Sequence, residues 1–449
     1  MLRQASKFLC PLHRGTYSPQ IRRIAAAAKP APVAIVGGGP CGLTFARLLE
    51  RAGVDYVVFE RDASFTAAQK FQGGTLDLGP EGGQAALKSA GLFTEFQKYA
   101  RYEGSCLTIQ DFKGNHYERM GGDDRDRPEI DRFQLRQMLL QSIPEQRVKW
   151  NMKLLGAEIQ KREQDSGSTS AADCVLRFED GTSERGFRLV VGSDGAWSKL
   201  RQVITPMEPT YTGRLFIEGA ISPGNPQYNA AVALAGPGNS LATGNHQALC
   251  VQQMSDRSYR VYMAVEGPES MTRPGGQLDL SNQEETCGRI NELYSPWAPH
   301  LRDIVAAVEG PYRAWPLFQL DERLFARAEE NKNDLPHEER WKRVPGVTLL
   351  GDAAHVGVPN GEGVNHAMTD ARKLFECLEA ELKEAGEGFD QKADAVRIER
   401  AISAYEADMF PRAHESIRDG IGMMGMMFAK DGAKKMKEIL AQTPQDAQT

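Results

Sequence analysis

The feature that most constrains this chain is a glycine turn set between a short apolar run and an amphipathic helix. Val33-Ala34-Ile35-Val36 leads directly into Gly37-Gly38-Gly39-Pro40-Cys41-Gly42, after which Leu43, Ala46, Leu49 and Ala52 fall on related helical faces. A second apolar run, Tyr56-Val57-Val58-Phe59, follows. Two apolar runs joined by a helix predict a βαβ unit, because parallel neighbours need a crossover connection. The turn fits GxGxxG through Gly37, Gly39 and Gly42. Side chains at the first two glycines would obstruct the turn and keep the backbone away from a pyrophosphate. The helix N-terminus offers such an anion free N–H groups and a partial positive charge. Glu60 closes the second run, where a carboxylate can accept hydrogen bonds from ribose hydroxyls. The unit predicts a dinucleotide site without separating FAD from NAD.

The rest of the chain has room for more than this unit. Its 449 residues suffice for two or three domains with substantial cores. A formal charge of −6 argues against nucleic acid as the main partner, which needs a basic face. No apolar stretch approaches the roughly 20 residues of a membrane-spanning helix. The seven cysteines form no CxxC pair, which suits a reducing compartment and speaks against a disulfide framework or a zinc site. Before Glu50 the chain has no acidic residue, while Arg3, Lys7, Arg14, Arg22, Arg23 and Lys29 are basic. Residues 1–32 therefore read either as a mitochondrial transit peptide or as a basic extension of a cytoplasmic protein.

The pattern of runs predicts an α/β fold: a Rossmann-like nucleotide-binding domain, an inserted β-sheet domain and a C-terminal helix. The expected divisions are 33–201 and 336–390 for the nucleotide domain, 202–335 for the sheet domain and 391–449 for the helical end. Paired strands are expected on either side of a polar loop from Lys161 to Ala172, and longer strands at Leu215 to Ile221, Ala248 to Met254 and Tyr259 to Val265. Val347-Thr348-Leu349-Leu350 reads as a buried strand, followed by a helix from about Gly363 to Glu381. Met423, Met424, Met426 and Met427 read as a helix-packing face. No HExxH, GxSxG or Walker pattern occurs, so hydrolase and phosphate-transfer readings have no support.

Two later segments select the cofactor. Gly192-Ser193-Asp194-Gly195-Ala196-Trp197-Ser198-Lys199-Leu200-Arg201 resembles the GADGxxSxxR segment of flavoprotein hydroxylases, and Gly351-Asp352-Ala353-Ala354-His355 resembles their GDAAH segment. Gly73-Gly74-Thr75-Leu76-Asp77-Leu78 and Glu129-Ile130-Asp131-Arg132-Phe133-Gln134-Leu135-Arg136 add a likeness to the tetracycline-degrading branch of these class A FAD-dependent monooxygenases. The resemblance implies FAD as cofactor and a transient visit by NADPH or NADH. It also implies O2 as co-substrate and transfer of an oxygen atom to a small aromatic or polyketide-like molecule, by hydroxylation or Baeyer–Villiger oxidation. It implies that Asp352 binds the flavin ribityl chain and that Gly361, Gly363, Val364 and Asn365 approach the ring. Asp194, Arg61, Gly74, Arg132, Arg136 and Lys70 are further candidate FAD contacts, and His355 is structural. The polar trio of the tetracycline enzymes falls near Glu218, Ser240 and Val261, so the substrate differs. Between Pro359 and Gly361 stands one residue, Asn360, where the family usually has two. Alternatives within reach of the same motifs are a flavin reductase without oxygen transfer and a catalytically weakened FAD-binding regulatory protein.

Overall fold

The structure, a computed structural model, describes residues 33–65, 73–121, 126–161, 172–326, 335–383 and 391–442. The basic leader, Lys70 and the 162–171 loop lie outside these residues. Among the described residues no helix is long and apolar enough to cross a membrane. The six described cysteines are free thiols.

The nucleotide domain is built on a five-stranded parallel sheet in the order Val347–Leu349, Leu189–Gly192, Val33–Val36, Tyr56–Phe59, Val148–Lys149. Its central strands are apolar on both faces, as a sheet covered on both sides requires. Ala34, Ile35, Val58 and Val191 are fully buried. The helix Pro40–Ala52 packs Leu43, Phe45, Leu48 and Leu49 into this core, each contributing about 1.5–3 kcal/mol. It ends at Gly53, whose left-handed conformation lets its N–H bond back to Glu50.

A seven-stranded sheet carries the second domain, in the order Glu309–Gln319, Thr210–Ile221, Tyr259–Glu266, Gln247–Gln253, Asn239–Gly244, Leu107–Asp111, His116–Met120. Its last two strands come from within the 33–201 stretch, so the sheet draws on more of the chain than 202–335. The cause is a non-local pairing: Leu107–Asp111 runs parallel to Asn239–Gly244, and no turn signal marks that partnership. One face of the sheet is covered by the helices Tyr228–Ala235, Gln283–Leu293 and Pro299–Ala307 around Leu215, Ile217, Val251, Val261 and Met263. The other face looks toward the nucleotide domain.

The 37-residue helix Gln391–Met427 joins the two domains. Ala401, Tyr405, Met409 and Ile417 pack into the nucleotide-domain core. Met424, Met427 and Phe428 pack against Ala248, Ala264 and Leu317 of the sheet. The methionines thus form a packing face, and a flexible thioether suits the uneven surface between a helix and a twisted sheet.

Candidate functional site

Three segments far apart in sequence meet at one edge of the parallel sheet because they follow three adjacent strands. The glycine turn follows Val33–Val36, Asp194-Gly195 follows Leu189–Gly192, and Asp352 follows Val347–Leu349. The carboxyl ends of parallel strands are where open α/β sheets place their ligands. Hydrogen bonds fix the three loops to one another. Ser193 Oγ donates to the carbonyls of Val36 and Gly37 at 3.0 and 2.9 Å. Arg201, buried at the end of the second motif, donates to the carbonyls of Ala353 at 3.0 Å, Asp352 at 3.2 Å and Ala196. The motif carries an arginine there because its fork reaches two loops at once.

The turn itself is closed too tightly for side chains. Gly37 has φ +108°, and a Cβ there would sit 2.3 Å from Ser193 O. A Cβ on Gly42 would sit 2.2 Å from Gly37 O. The second motif glycine, Gly39, faces open space. The helix that begins after it has no side-chain cap and no acid in its first turn, so its N–H groups are left for an outside anion. Glu60 Oε2 accepts the N–H of Gly38 at 2.6 Å, and Oε1 accepts that of Asp62 at 2.9 Å. Arg136 then bonds the Gly38 carbonyl at 2.7 Å and Asp62 Oδ2 at 2.7 Å. Arg136 is therefore buried beneath the turn and shapes it, whereas Arg61 is exposed just after Glu60, and Arg132 is exposed beside Gly74, whose carbonyl accepts its N–H at 3.3 Å. Asp194 accepts Lys199 N–H at 2.8 Å through one oxygen, while the other is buried with no hydrogen-bond partner among the described residues. Burial raises its pKa above the ordinary carboxylate range, against the hydrogen bonds that lower it.

On the other side of the third motif, Asn365 spends its amide within the protein. Its Oδ1 accepts the N–H groups of Gly79 and Gly83, both at 2.9 Å, and its Nδ2 donates to Asp77 O at 3.1 Å. It thereby pins the start of the helix Gly363–Lys383 to the loop after Thr75–Asp77. The shortened segment before that helix is held by Asn360, which donates to Ser416 O at 3.1 Å and accepts Glu362 N–H at 2.9 Å. Glu362 pairs with Arg127 at 2.5 Å. His355 is buried, with Nε2 2.6 Å from Asp370 Oδ2. Burial alone would lower its pKa, but the Asp370 carboxylate raises it, with a net upward shift.

The sheet face opposite these loops carries Phe216, Glu218, Arg260, Tyr262 and Trp315. Glu218 is 3% exposed; it accepts the Trp315 indole N–H at 2.5 Å and lies 3.6 Å from Arg260. Trp315 keeps 41% of its surface exposed, so its ring is held by the carboxylate while a face remains open. Gly74 approaches this face so closely that a Cβ would lie 2.7 Å from Tyr262 Oη and 2.6 Å from Gln252 Oε1. Ser240 and Val261 are placed otherwise. Val261 belongs to the core under the helices, and Ser240 shares that face, 3.5 Å from Gln110, which in turn meets His300 of the helix Pro299–Ala307. Side chains alternate along a strand, so a shift of one residue moves a candidate to the far face. The period-2 pattern Tyr259, Val261, Met263, Val265 carries that signal for Val261, and it points to Arg260 and Tyr262 as the positions facing the nucleotide domain. Phe216 was not given a role from the sequence, although its strand was marked by an apolar run, and the strand Glu309–Gln319 that carries Trp315 was not marked at all. Among the described residues no cluster could hold a metal ion.

Comparisons with known proteins agree with this geometry. The family described as "FAD binding domain" matches residues 30–215 and 337–407. The protein named "Monooxygenase asqM" from Emericella nidulans is 28% identical over 424 residues, spanning 86% of this chain and 93% of that protein. Klebsiella pneumoniae HpxO, solved with FAD and uric acid, superposes with a TM-score of 0.67 at 18% identity, covering 93% of this chain and 94% of that one. Tetracycline destructase Tet(51) superposes with a TM-score of 0.59 at 18% identity, covering 92% and 96%. At these identities the two structures speak for the fold alone. The expected cofactor also passes a test on the residues present. The open side of Gly39, the uncapped helix and the orphaned Asp194 oxygen are the features a dinucleotide would complete.

Proposed function

This chain belongs to the FAD binding domain family, and from that premise we propose that it is an FAD-dependent monooxygenase working with NAD(P)H and O2. Its substrate is a small or medium aromatic or polyketide-like molecule, oxidised by hydroxylation or by Baeyer–Villiger insertion. The observation that carries this reading is the gathering of the three flavin-type motifs at one sheet edge, together with an aromatic sheet face around Glu218 and Trp315 that Gly74 approaches closely at Tyr262. The name of the Emericella nidulans relative supports the same class.

When bound, FAD supplies the redox chemistry, taking electrons from NAD(P)H and activating O2. The chain's own residues bind, orient and exclude water. The glycine turn and its helix N-terminus hold the pyrophosphate, and Glu60 has lone pairs left for a ribose hydroxyl. Asp352, exposed at the start of its short helix, holds the ribityl chain. Trp315, Phe216 and Tyr262 offer apolar surface to a ring, with Glu218 as a fixed hydrogen-bond acceptor among them. The free thiols suit work in the cytoplasm.

The purified protein is expected to be yellow and to consume NADPH or NADH faster when a suitable phenol or polyketide is added, yielding a product one oxygen atom heavier. Stimulated cofactor use without oxygen in the product would instead identify a reductase. Tight FAD binding with no NAD(P)H oxidation across the panel would identify a non-enzymatic flavoprotein. Asp352→Ala is expected to weaken FAD by about 1.5–3 kcal/mol, the worth of a hydrogen bond to a charged group, read by flavin fluorescence titration. Unchanged flavin content in that variant would mean the ribityl contact lies elsewhere.

A further inference from the structure

The joint between the flavin-side loop and the substrate sheet contains a carboxyl group in an unusual setting. Thr75–Asp77 pairs antiparallel with Glu129–Asp131, immediately after Gly74 and its close approach to Tyr262. Glu129 also pairs backbone to backbone with Arg101, with N···O distances of 2.9 and 3.1 Å. Its side chain is 6% exposed and reaches both domains. One oxygen accepts Asn239 Nδ2 of the substrate sheet at 2.9 Å, and the other is hydrogen-bonded to the Thr75 hydroxyl. Asn239 is held in turn by Gly104 O at 3.2 Å.

The charges around this carboxyl are already committed. Asp77, opposite Glu129 in the two-stranded sheet, binds Arg127 at 2.7 Å, and Arg127 is shared with Glu362. Asp131, on the same strand, binds Arg101 at 2.8 Å and Ser255 Oγ at 2.6 Å. Among the described residues no cation pairs with Glu129 itself, and its two direct partners, Asn239 and Thr75, are neutral. A buried carboxylate with two carboxylate neighbours and no cation of its own is costly, whereas a neutral acid there satisfies both partners. The acid O–H donates to Thr75 Oγ1 while the carbonyl oxygen accepts from Asn239.

We propose that Glu129 is a positioning residue that joins the Gly73–Asp77 loop to the substrate sheet as a neutral acid, and that its ionisation loosens the seat of the flavin. The inference rests on the FAD-binding reading and on no particular substrate. Burial first and Asp77 second push the Glu129 carboxyl up to about 7, with Asp131 adding to the rise, against the Asn239 hydrogen bond and the Arg101 charge. The folded chain then holds a proton that the unfolded chain, ionising near 4.5, has lost. Stability therefore falls as pH rises from about 4.5 to about 7 and stays at the lower level above it.

The test compares wild type with Glu129→Gln, which keeps the shape of the neutral acid. In wild type, FAD affinity should be level up to about pH 6.5 and weaken above about pH 7, by at most roughly tenfold per pH unit for one linked proton. The variant should match the acid-limb affinity of wild type and keep it at alkaline pH. Urea unfolding of the apoprotein should lose stability over the acid-to-neutral range in wild type and lose less in the variant. A variant that reproduces the wild-type pH profile overturns the proposal, as does one that binds FAD several-fold more weakly at about pH 6. If the variant does not fold, a flat wild-type profile to about pH 8.5 is sufficient to overturn it. Failure to bind FAD at any pH would count against the cofactor reading, and the apoprotein unfolding series would still decide the role of the proton.

Discussion

Gly42→Ala is expected to strip the protein of FAD while leaving most of its secondary structure in place. The backbone at Gly42 is helical and alanine is the best helix former, so propensity alone would favour the change. Sterics oppose it. The new Cβ would lie 2.2 Å from Gly37 O and 2.4 Å from Ser193 Oγ, and the first of these is backbone that cannot rotate away. The helix must therefore back off from the turn, which widens the place where the first two motifs touch. Overpacking of this kind costs about 1–3 kcal/mol. Expressed in the flavin site, that corresponds to FAD binding weakened by about five- to 150-fold. Flavin absorbance after purification, with circular dichroism as the control for folding, measures it. Wild-type flavin content in a folded Gly42→Ala protein would show that the turn does not set the site.

The largest loss of stability is expected from Asp370→Ala. Asp370 is fully buried on the helix Gly363–Lys383 and serves three partners. Its Oδ2 accepts the N–H of Gly351 at 2.8 Å and meets His355 Nε2 at 2.6 Å, while Oδ1 accepts from Arg412 at 2.9 Å. These partners come from the turn before Asp352, the helix Asp352–His355 and the long C-terminal helix. Removing one member of a buried ionic cluster leaves the others uncompensated, at a cost of about 3–5 kcal/mol. Urea unfolding should register it as a lower midpoint with an unchanged slope. The sign of the pH dependence also follows. His355 has a raised pKa, so its contribution is full below the unfolded value near 6.5 and is lost as pH rises through the folded value. The stability gap between wild type and Asp370→Ala should therefore narrow toward alkaline pH. A gap that widened there would mean His355 is neutral throughout.

Much of the nucleotide half was legible because its signals are local. The glycine turn, the helix after it and the acid at Glu60 lie within one βαβ unit; the first two follow from what a pyrophosphate needs and the third from what a ribose needs. The roles of neighbouring residues were less legible. Arg136 was expected among the cofactor contacts, and the structure shows its guanidinium engaged beneath the turn with Gly38 O and Asp62. Asn365 was expected beside the ring, and its amide is consumed by Gly79, Gly83 and Asp77. Those partners lie far away in sequence, so no spacing could announce them. The substrate face was read with the least success for a simpler reason. An alignment by similarity can slip by one position, and on a strand one position exchanges the two faces. Glu218 lies toward the nucleotide domain, whereas Ser240 and Val261 lie toward the helices.

By itself, the order of residues determined that a dinucleotide turn exists and which strands flank it, and the resemblance of two later motifs to flavoprotein hydroxylases pointed to a flavin. Those properties reside in short segments whose backbone needs are met by their own residues. Only the tertiary structure decided that the strands ending at Val36, Gly192 and Leu349 are adjacent, and that Arg201 ties the loops that follow two of them. It also decided that Leu107–Asp111 joins the substrate sheet, and that Glu129 sits between Thr75 and Asn239 with no ion-pair partner among the described residues. Parallel pairing and burial of charge depend on which remote segments come together, and that is settled by packing of the whole chain.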